Sequence, residues 1–240
     1  MFNKRHIVRT IAATVSILAL SFTAACGSGQ STASNSTDSD DITQQTYKPG
    51  KLTIATGQPA YEPWVMNDKP ESGEGYEAAV AYAVADKLGF KKSDVVWTRT
   101  AFDTAIAPGA KDWDFNIQQF GITDERKKAV DFSSSYYNDS QSVVVKKDSK
   151  FANATKVSDL KDATVGVMVG TLAYDYAKAN IKDDIQTFND DAALAQALDA
   201  GQIDVLVTST VECVYMVQSE QVKDSKVLGR LPDSEDKSGM

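Results

Sequence analysis

Residues 164–207 read TVGVMVGTLAYDYAKANIKDDIQTFNDDAALAQALDAGQIDVLV. Thr164-Val-Gly-Val-Met-Val169 is short, apolar and rich in β-branched residues, the composition of a buried strand. It turns at Gly170-Thr171 into residues 173–179, which read as a helix. Gln186-Thr-Phe188 is the next strand, and Asp190 or Asp191 starts a helix that closes at Gly201. Asp204-Val-Leu-Val207 is again a buried strand, and residues 211–217 read as a helix. Strands separated by helices of this length need crossover connections, which predicts parallel pairing with helices on both faces.

The same rhythm runs through the preceding residues. Lys51-Leu-Thr-Ile-Ala-Thr56 alternates like a strand, and residues 57–63 break it into a loop. Residues 76–88 repeat apolar side chains at helical spacing and stop at Gly89. Val95-Val-Trp-Thr98 and residues 114–120 read as strands, and Thr123-Asp-Glu as a helix start with acids in its first turn. Residues 143–145 form a short buried strand where the composition changes. The expectation is an α/β, two-lobed fold, each lobe a mainly parallel sheet flanked by helices. Lobe 1 spans 47–140 and lobe 2 spans 141–235, with a hinge of two crossovers near 138–143 and 236–240. In such sheets ligands bind beyond the carboxyl ends of the strands.

The amino terminus reads as an address. Lys4, Arg5 and Arg9 precede a mostly apolar run over 11–22 and then Thr23-Ala-Ala-Cys26. That is the layout of a secretory signal over 1–25, and its apolar run is shorter than the ~20 residues a spanning helix needs. A cysteine directly after small residues resembles a bacterial lipobox, which makes Cys26 the expected site of palmitate-type acylation, although Thr23 stands where Leu is usual. Residues 26–46, poor in large apolar side chains, read as a flexible tether ahead of a fold starting near Tyr47. Without the three signal-segment bases the chain has 22 basic and 33 acidic residues, a net charge of −11. That balance disfavours nucleic acid as a partner. Two cysteines and one histidine give no metal-binding cluster, so neither a metal nor a cofactor is expected.

Tyr61-Glu-Pro-Trp64, Gly75-Tyr-Glu77, Phe102-Asp-Thr, Gly121-Ile-Thr-Asp-Glu-Arg126 and Val130-Asp-Phe-Ser133 with Tyr136-Tyr137 follow one another over the first half. Val165-Gly-Val, Gly170-Thr171 and Gly201-Gln-Ile-Asp204 follow in the second. In order and spacing these segments resemble the family 3 extracellular solute-binding proteins, the receptors of polar amino-acid importers of the ATP-binding-cassette (ABC) type. The resemblance covers residues 50–240. It implies a monomer that captures an amino acid or related carboxylate between closing lobes and presents it to an ABC permease at the outer face of the cytoplasmic membrane.

The resemblance also implies a site. A guanidinium grips a carboxylate through two parallel hydrogen bonds. Arg126 matches the family arginine that holds the ligand's α-carboxylate, although beside Lys127 and Lys128 it would otherwise read as solvated surface charge. Gly170 and Thr171 stand at a strand-to-helix junction, where free N–H groups favour an anion. Tyr61, Trp64 and Phe102 are expected as aromatic walls; by size alone Trp64 reads equally well as core. Gln119, Gly121, Thr123 and Ser209 complete the expected contacts.

This chain departs from the family pattern in three places. Gly121 stands where a hydroxyl residue is usual. Thr208-Ser209-Thr210 stands where the family places the acid that pairs with the ligand's ammonium, leaving Glu212, hydroxyls or Gln118 to serve, or a different ligand. The sequence also stops at Met240, where relatives return to lobe 1; a shortened chain would leave apolar surface exposed there. Two rivals share this reading: an enzyme of the same fold, a cyclohexadienyl or prephenate-type dehydratase using Glu62, Glu77, Asp103 or Glu212, and a non-transporting surface adhesin or sensor lipoprotein.

Overall fold

The computed structural model describes residues 41–240. The expected signal segment, Cys26 and the tether before Asp41 lie outside them. Among the described residues the fold already includes those before the expected start at Tyr47. Asp41 accepts from Thr43 N at 2.9 Å and caps a 3₁₀ turn over Ile42–Gln44. Tyr47 N then donates to Asp114 Oδ1 at 2.6 Å, and Thr53 N to Oδ2 at 2.7 Å. A single carboxylate thus fastens this segment to the first strand.

Lobe 1 opens with β1 (Leu52–Gly57), buried along its whole length, then α1 (Tyr76–Lys87), β2 (Val95–Thr100), α2 (Phe102–Ile106) and β3 (Phe115–Asn116). The three strands pair in parallel in the order β2-β1-β3. Leu52, Ile54, Ala81, Ala85, Phe90 and Ile117 form the core beneath α1.

The single strand expected over 114–120 is in fact two. After β3 the chain bends, and β4 (Phe120–Gly121) belongs to a different sheet. The break is at Gln119, whose φ of 52° lies in the left-handed region that ends regular pairing. The helix expected from Thr123 is one 3₁₀ turn, Arg126–Lys128. Thr123 Oγ1 accepts from Arg126 N at 3.1 Å, but Arg-Lys-Lys offers no apolar face to bury a longer helix.

β5 (Tyr137–Asp139) leads out of lobe 1. Lobe 2 follows with β6 (Gln141–Lys146), β7 (Val165–Met168), α3 (Leu172–Asn180), β8 (Gln186–Phe188), α4 (Asp191–Asp199), β9 (Val205–Ser209), α5 (Thr210–Gln218) and β10 (Ser225–Arg230). Its sheet runs β10-β6-β9-β7-β8 and is mixed: β7 is parallel to β8 and β9, whereas β6 is antiparallel to β9 and β10. Side chains alternate across it. Val143, Val145, Val205 and Val207 pack on one face with Phe151, Ala173 and Ala177, while Val144 and Leu206 pack on the other with Leu194, Leu198 and Met216. Both faces are covered, which is why these strands read as continuous apolar runs.

β11 (Asp236–Gly239) lies between β4 and β5, antiparallel to both. The outgoing and returning connections between the lobes therefore pair with each other, Asp139 opposite Asp236. This hinge sheet was not expected from the sequence, because its strands are short and polar and exist only through long-range pairing. On lobe 1 beside it, Phe115, Phe120, Val130, Phe132 and Met240 line a groove of about 410 Å³.

Candidate functional site

The cleft between the lobes holds a cavity of about 460 Å³. Lobe 1 contributes the loop after β1, the start of α2 and the Gln118–Gly121 bend; lobe 2 contributes the ends of β7 and β9 and the first turns of α3, α4 and α5. In both lobes the lining comes from the carboxyl ends of strands, where α/β sheets present their loops. Of the residues expected at the site, Tyr61, Phe102, Gln119, Gly121, Arg126, Thr171 and Ser209 line this one cavity.

Arg126 sits where the two lobes meet. Its Nη1 donates to Gly121 O and its Nη2 to Gly170 O, each at 2.9 Å, so the same guanidinium touches both lobes. Phe102 and Phe120 stack at 4.2 Å, and the guanidinium carbon lies 5.8 and 5.6 Å from their ring centres. These aromatic faces hold its plane by cation–π attraction. Burial draws its pKa down, opposed by the charges of Asp175 and Asp236.

Thr171 caps α3, its hydroxyl donating to Met168 O at 2.8 Å and accepting from Tyr174 N at 3.2 Å. Leu172 and Ala173, the first residues of that helix, also line the cavity. First-turn N–H groups have no intrahelical acceptor, so this end is suited to an anion. Gly121 has a steric reason: a Cβ there would lie 2.4 Å from Leu172 Cδ1 of the opposite lobe. The hydroxyl usual at this position would meet that leucine.

Three expected contacts are placed elsewhere. Trp64 is 2% exposed and packs edge-on against Tyr76 and Tyr137, at 5.9 and 5.1 Å between centroids, so it is core rather than wall. A large aromatic gains more from full burial than from facing a polar cleft. Thr123 supports Arg126 from behind through the capping bond. Gly170 meets the arginine through its carbonyl without lining the cavity.

Gln119 is held from beneath by Glu77, a fully buried carboxylate on α1. Glu77 Oε1 accepts Gln119 N at 2.8 Å and the Tyr136 hydroxyl, and Oε2 accepts Gln119 Nε2. Burial lifts its pKa to about 7 against those bonds, with the Glu212 charge adding to the rise. The strained backbone of Gln119 is therefore pinned by a side chain from the neighbouring helix.

The cavity lining is acidic: Asp190, Asp191 and Glu212 from lobe 2, Asp139 and Asp236 from the hinge strands and Asp103 from lobe 1 all line it, where Arg126 is the one basic residue. Asp191 and Glu212 are 7% and 8% exposed. Thr208 Oγ1 donates to Glu212 Oε2 at 3.0 Å and lies 3.3 Å from Asp191 Oδ1. Burial raises both pKa values; the Glu212 charge adds to the rise at Asp191, and the Asp139 charge to that at Glu212. Burial also raises Asp139, and lifts Asp236 to about 6 with help from Asp139's charge, against the Gln141 amide bond at 2.9 Å. Sequence reading named Glu212 as a substitute acid but missed Asp139, Asp191 and Asp236. The Asp190-Asp191 pair carried a signal: Asp190 caps α4 by accepting from Ala193 N at 2.8 Å, so its neighbour was not needed as a cap.

The model of the bacterial extracellular solute-binding proteins, family 3, matches residues 52–170. The L-cystine-binding protein TcyJ of Escherichia coli is 31% identical over 160 residues, 66% of this chain and 59% of that protein, so the match spans less than two thirds of that protein's length. The glutamine-binding protein of Geobacillus stearothermophilus is 31% identical over 225 residues, 85% of this chain and 82% of that one. Among solved structures, the ancestral amino acid-binding protein AncCDT-1, a precursor of cyclohexadienyl dehydratase, aligns with a TM-score of 0.66 at 30% identity, covering 79% of this chain and 80% of its own. The fold, the cleft at the strand ends and these relatives agree: the chain belongs to the bacterial extracellular solute-binding proteins, family 3.

Proposed function

We propose that this chain is the substrate-binding lipoprotein of an ABC importer, capturing a small amino-acid-like solute and presenting it to a membrane permease. The observation that carries the reading is the convergence of Arg126 from lobe 1 and Thr171 with the start of α3 from lobe 2 on one cavity. A fork of N–H donors on one side and helix-end amides on the other suit the same carboxylate. The relatives named for cystine and glutamine support an amino acid as the ligand class.

In this reading residues 47–140 and 141–235 are the two jaws, and the paired strands of the hinge sheet carry the bending. Contacts from both jaws are complete only when they meet, so ligand favours the closed form by its preference for it. Cys26 carries the lipid and the residues between it and Asp41 the tether, which places the monomer at the outer face of the cytoplasmic membrane. Tyr61, Phe102 and Gln119 form the wall around the ligand side chain.

A thermal-shift screen of the twenty amino acids tests this, because ligand binding raises stability by mass action. One or more carboxylated solutes should raise Tm. Arg126→Ala should weaken that binding at least about 30-fold, the lower end for truncating one partner of a buried charge pair. An undiminished shift in Arg126→Ala refutes the site.

A further inference from the structure

Gln119 lines the cleft, and its side-chain amide is tied from behind. Nε2 donates to Glu77 Oε2, while among the described residues nothing donates to its carbonyl oxygen, Oε1. An amide whose N–H end is held by a carboxylate keeps its acceptor end free. The two oxygens of Glu77 are not equivalent. Oε1 accepts twice, from Gln119 N at 2.8 Å and from the Tyr136 hydroxyl, whereas Oε2 meets only the Gln119 amide. Tyr136 is itself held: the Tyr76 hydroxyl donates to its carbonyl at 2.8 Å, and the two rings stack at 6.4 Å. A proton on Glu77 therefore belongs on Oε2, facing the amide.

Resting on the reading of Gln119 as cleft wall, we propose that Glu77 is a positioning residue that sets the polarity of Gln119. The ligand meets a hydrogen-bond acceptor there when Glu77 is ionised and a donor when Glu77 is protonated. An ionised carboxylate offers only lone pairs, so it takes the NH2 end and leaves the carbonyl to the ligand. A protonated Oε2 is a donor; the amide then turns over, gives Oε1 to Glu77 and points NH2 at the cleft. The turn is soft, because this last torsion is broad and two-fold, and no buried hydrogen bond is lost by it. Both bonds to Glu77 Oε1 persist, so the bend and Arg126 beyond it stay in place.

Burial lifts the Glu77 pKa to about 7, so both forms are populated near neutrality. The ionisable groups facing it are Tyr136, which is bonded to it, Tyr76 beside Tyr136, and Glu212 of α5, whose charge disfavours ionisation. Glu77 enters no ion pair among the described residues. A ligand that donates to Gln119 selects the ionised form; one that accepts from it selects the protonated form. Between pH 6 and 8 the ionised fraction of such a group rises about tenfold, and affinity follows the competent fraction.

The first test needs no ligand. Exchange of the Gln119 Nε2 protons with water, followed by NMR on a signal assigned by its loss in Gln119→Met, should rise only about tenfold from pH 6 to 8. Base catalysis gives an amide that is always exposed, or always sheltered, about a hundredfold. Glu77→Gln, whose own NH2 must donate to Gln119 Oε1, should show that full rise. A full rise in the unaltered protein overturns the proposal even if the variant misfolds. The second test uses amino acids: arginine and lysine side chains carry only donors, glutamate and aspartate, when ionised, only acceptors. From pH 6 to 8, affinity for a donor that binds should rise about tenfold more in the unaltered protein than in Glu77→Gln, and affinity for an acceptor should fall correspondingly more. Equal changes in the two proteins overturn the proposal. Where none of these four binds, the exchange result alone decides. A protein that binds no amino acid at all refutes the receptor reading, and the exchange result still separates that failure from failure of the amide switch.

Discussion

Strands β9 and β2 show how differently the two lobes are built. β9 lies in the middle of the five-stranded sheet with its apolar residues buried on both faces, Val205 and Val207 toward one helix layer and Leu206 toward the other. β2 is the edge of a three-stranded sheet, and none of its residues is fully buried. Lobe 2 is thus a rigid slab that offers helix starts and carboxylates to the cleft. Lobe 1 is a thinner layer whose contribution, Arg126 and its aromatic pair, rides on a bend and a single 3₁₀ turn. The difference teaches that the lobes divide the work: one supplies the firm acidic wall, the other the adaptable basic one.

The largest effect expected from this contrast is on stability. Leu206→Ala removes a fully buried side chain between α4 and α5 and should cost about 2–5 kcal/mol in denaturant unfolding. Val96→Ala on β2, half-buried, should cost about 1 kcal/mol or less. Equal costs would break the comparison.

The same contrast explains what the sequence made legible. Continuous apolar runs such as Val143-Val-Val145 and Val205-Leu-Val207 are buried on both faces, so local pattern and tertiary environment agree, and these strands could be read directly, though not their order or the antiparallel pairing of β6. Gly89 and Gly201, both at positive φ, ended α1 and α4 as expected. The hinge strands were illegible because Asp236-Lys-Ser-Gly239 has no strand pattern of its own; only pairing with β4 and β5 makes it one. At the site, Arg126 was found through the motif it stands in, whereas Asp139 and Asp191 gain their meaning from burial beside other acids, which no spacing encodes. Trp64 shows the converse: its place in a motif suggested the cleft, and its size took it to the core.

A second way to sharpen the comparison lies at Glu77, the buried acid that holds lobe 1's bend. Its pKa is raised from 4.5 to about 7, so the folded state binds a proton more tightly than the unfolded chain. The stability this adds is fully present below about pH 4.5 and is lost as pH rises to about 7, roughly 3 kcal/mol over the window. Glu77→Gln cannot titrate, so its unfolding free energy should fall less steeply between pH 4.5 and 7 than that of the unaltered protein. The remaining slope belongs to Asp191, Glu212, Asp139 and Asp236, whose pKa values are also raised. Parallel pH profiles for the two proteins would show that Glu77 is not the group that couples this bend to pH.

The smallest effect tests whether the adaptable lobe adapts. Gly121→Ser introduces the hydroxyl that the family resemblance led one to expect, yet its Cβ would meet Leu172 Cδ1 at 2.4 Å across the cleft. That atom is the free end of a flexible side chain, and the next contacts, Leu172 Cγ and Arg126 Nη1, are at 3.4 and 3.5 Å. Leu172 can therefore rotate away rather than force the lobes apart, at a cost of order 0.5–1.5 kcal/mol if it leaves its preferred rotamer. Affinity for an amino acid that binds should fall by less than about tenfold, and Leu172→Ala in the same chain should recover it. A much larger loss that Leu172→Ala does not relieve would mean that the bend beneath Gly121 is as unyielding as the slab it faces.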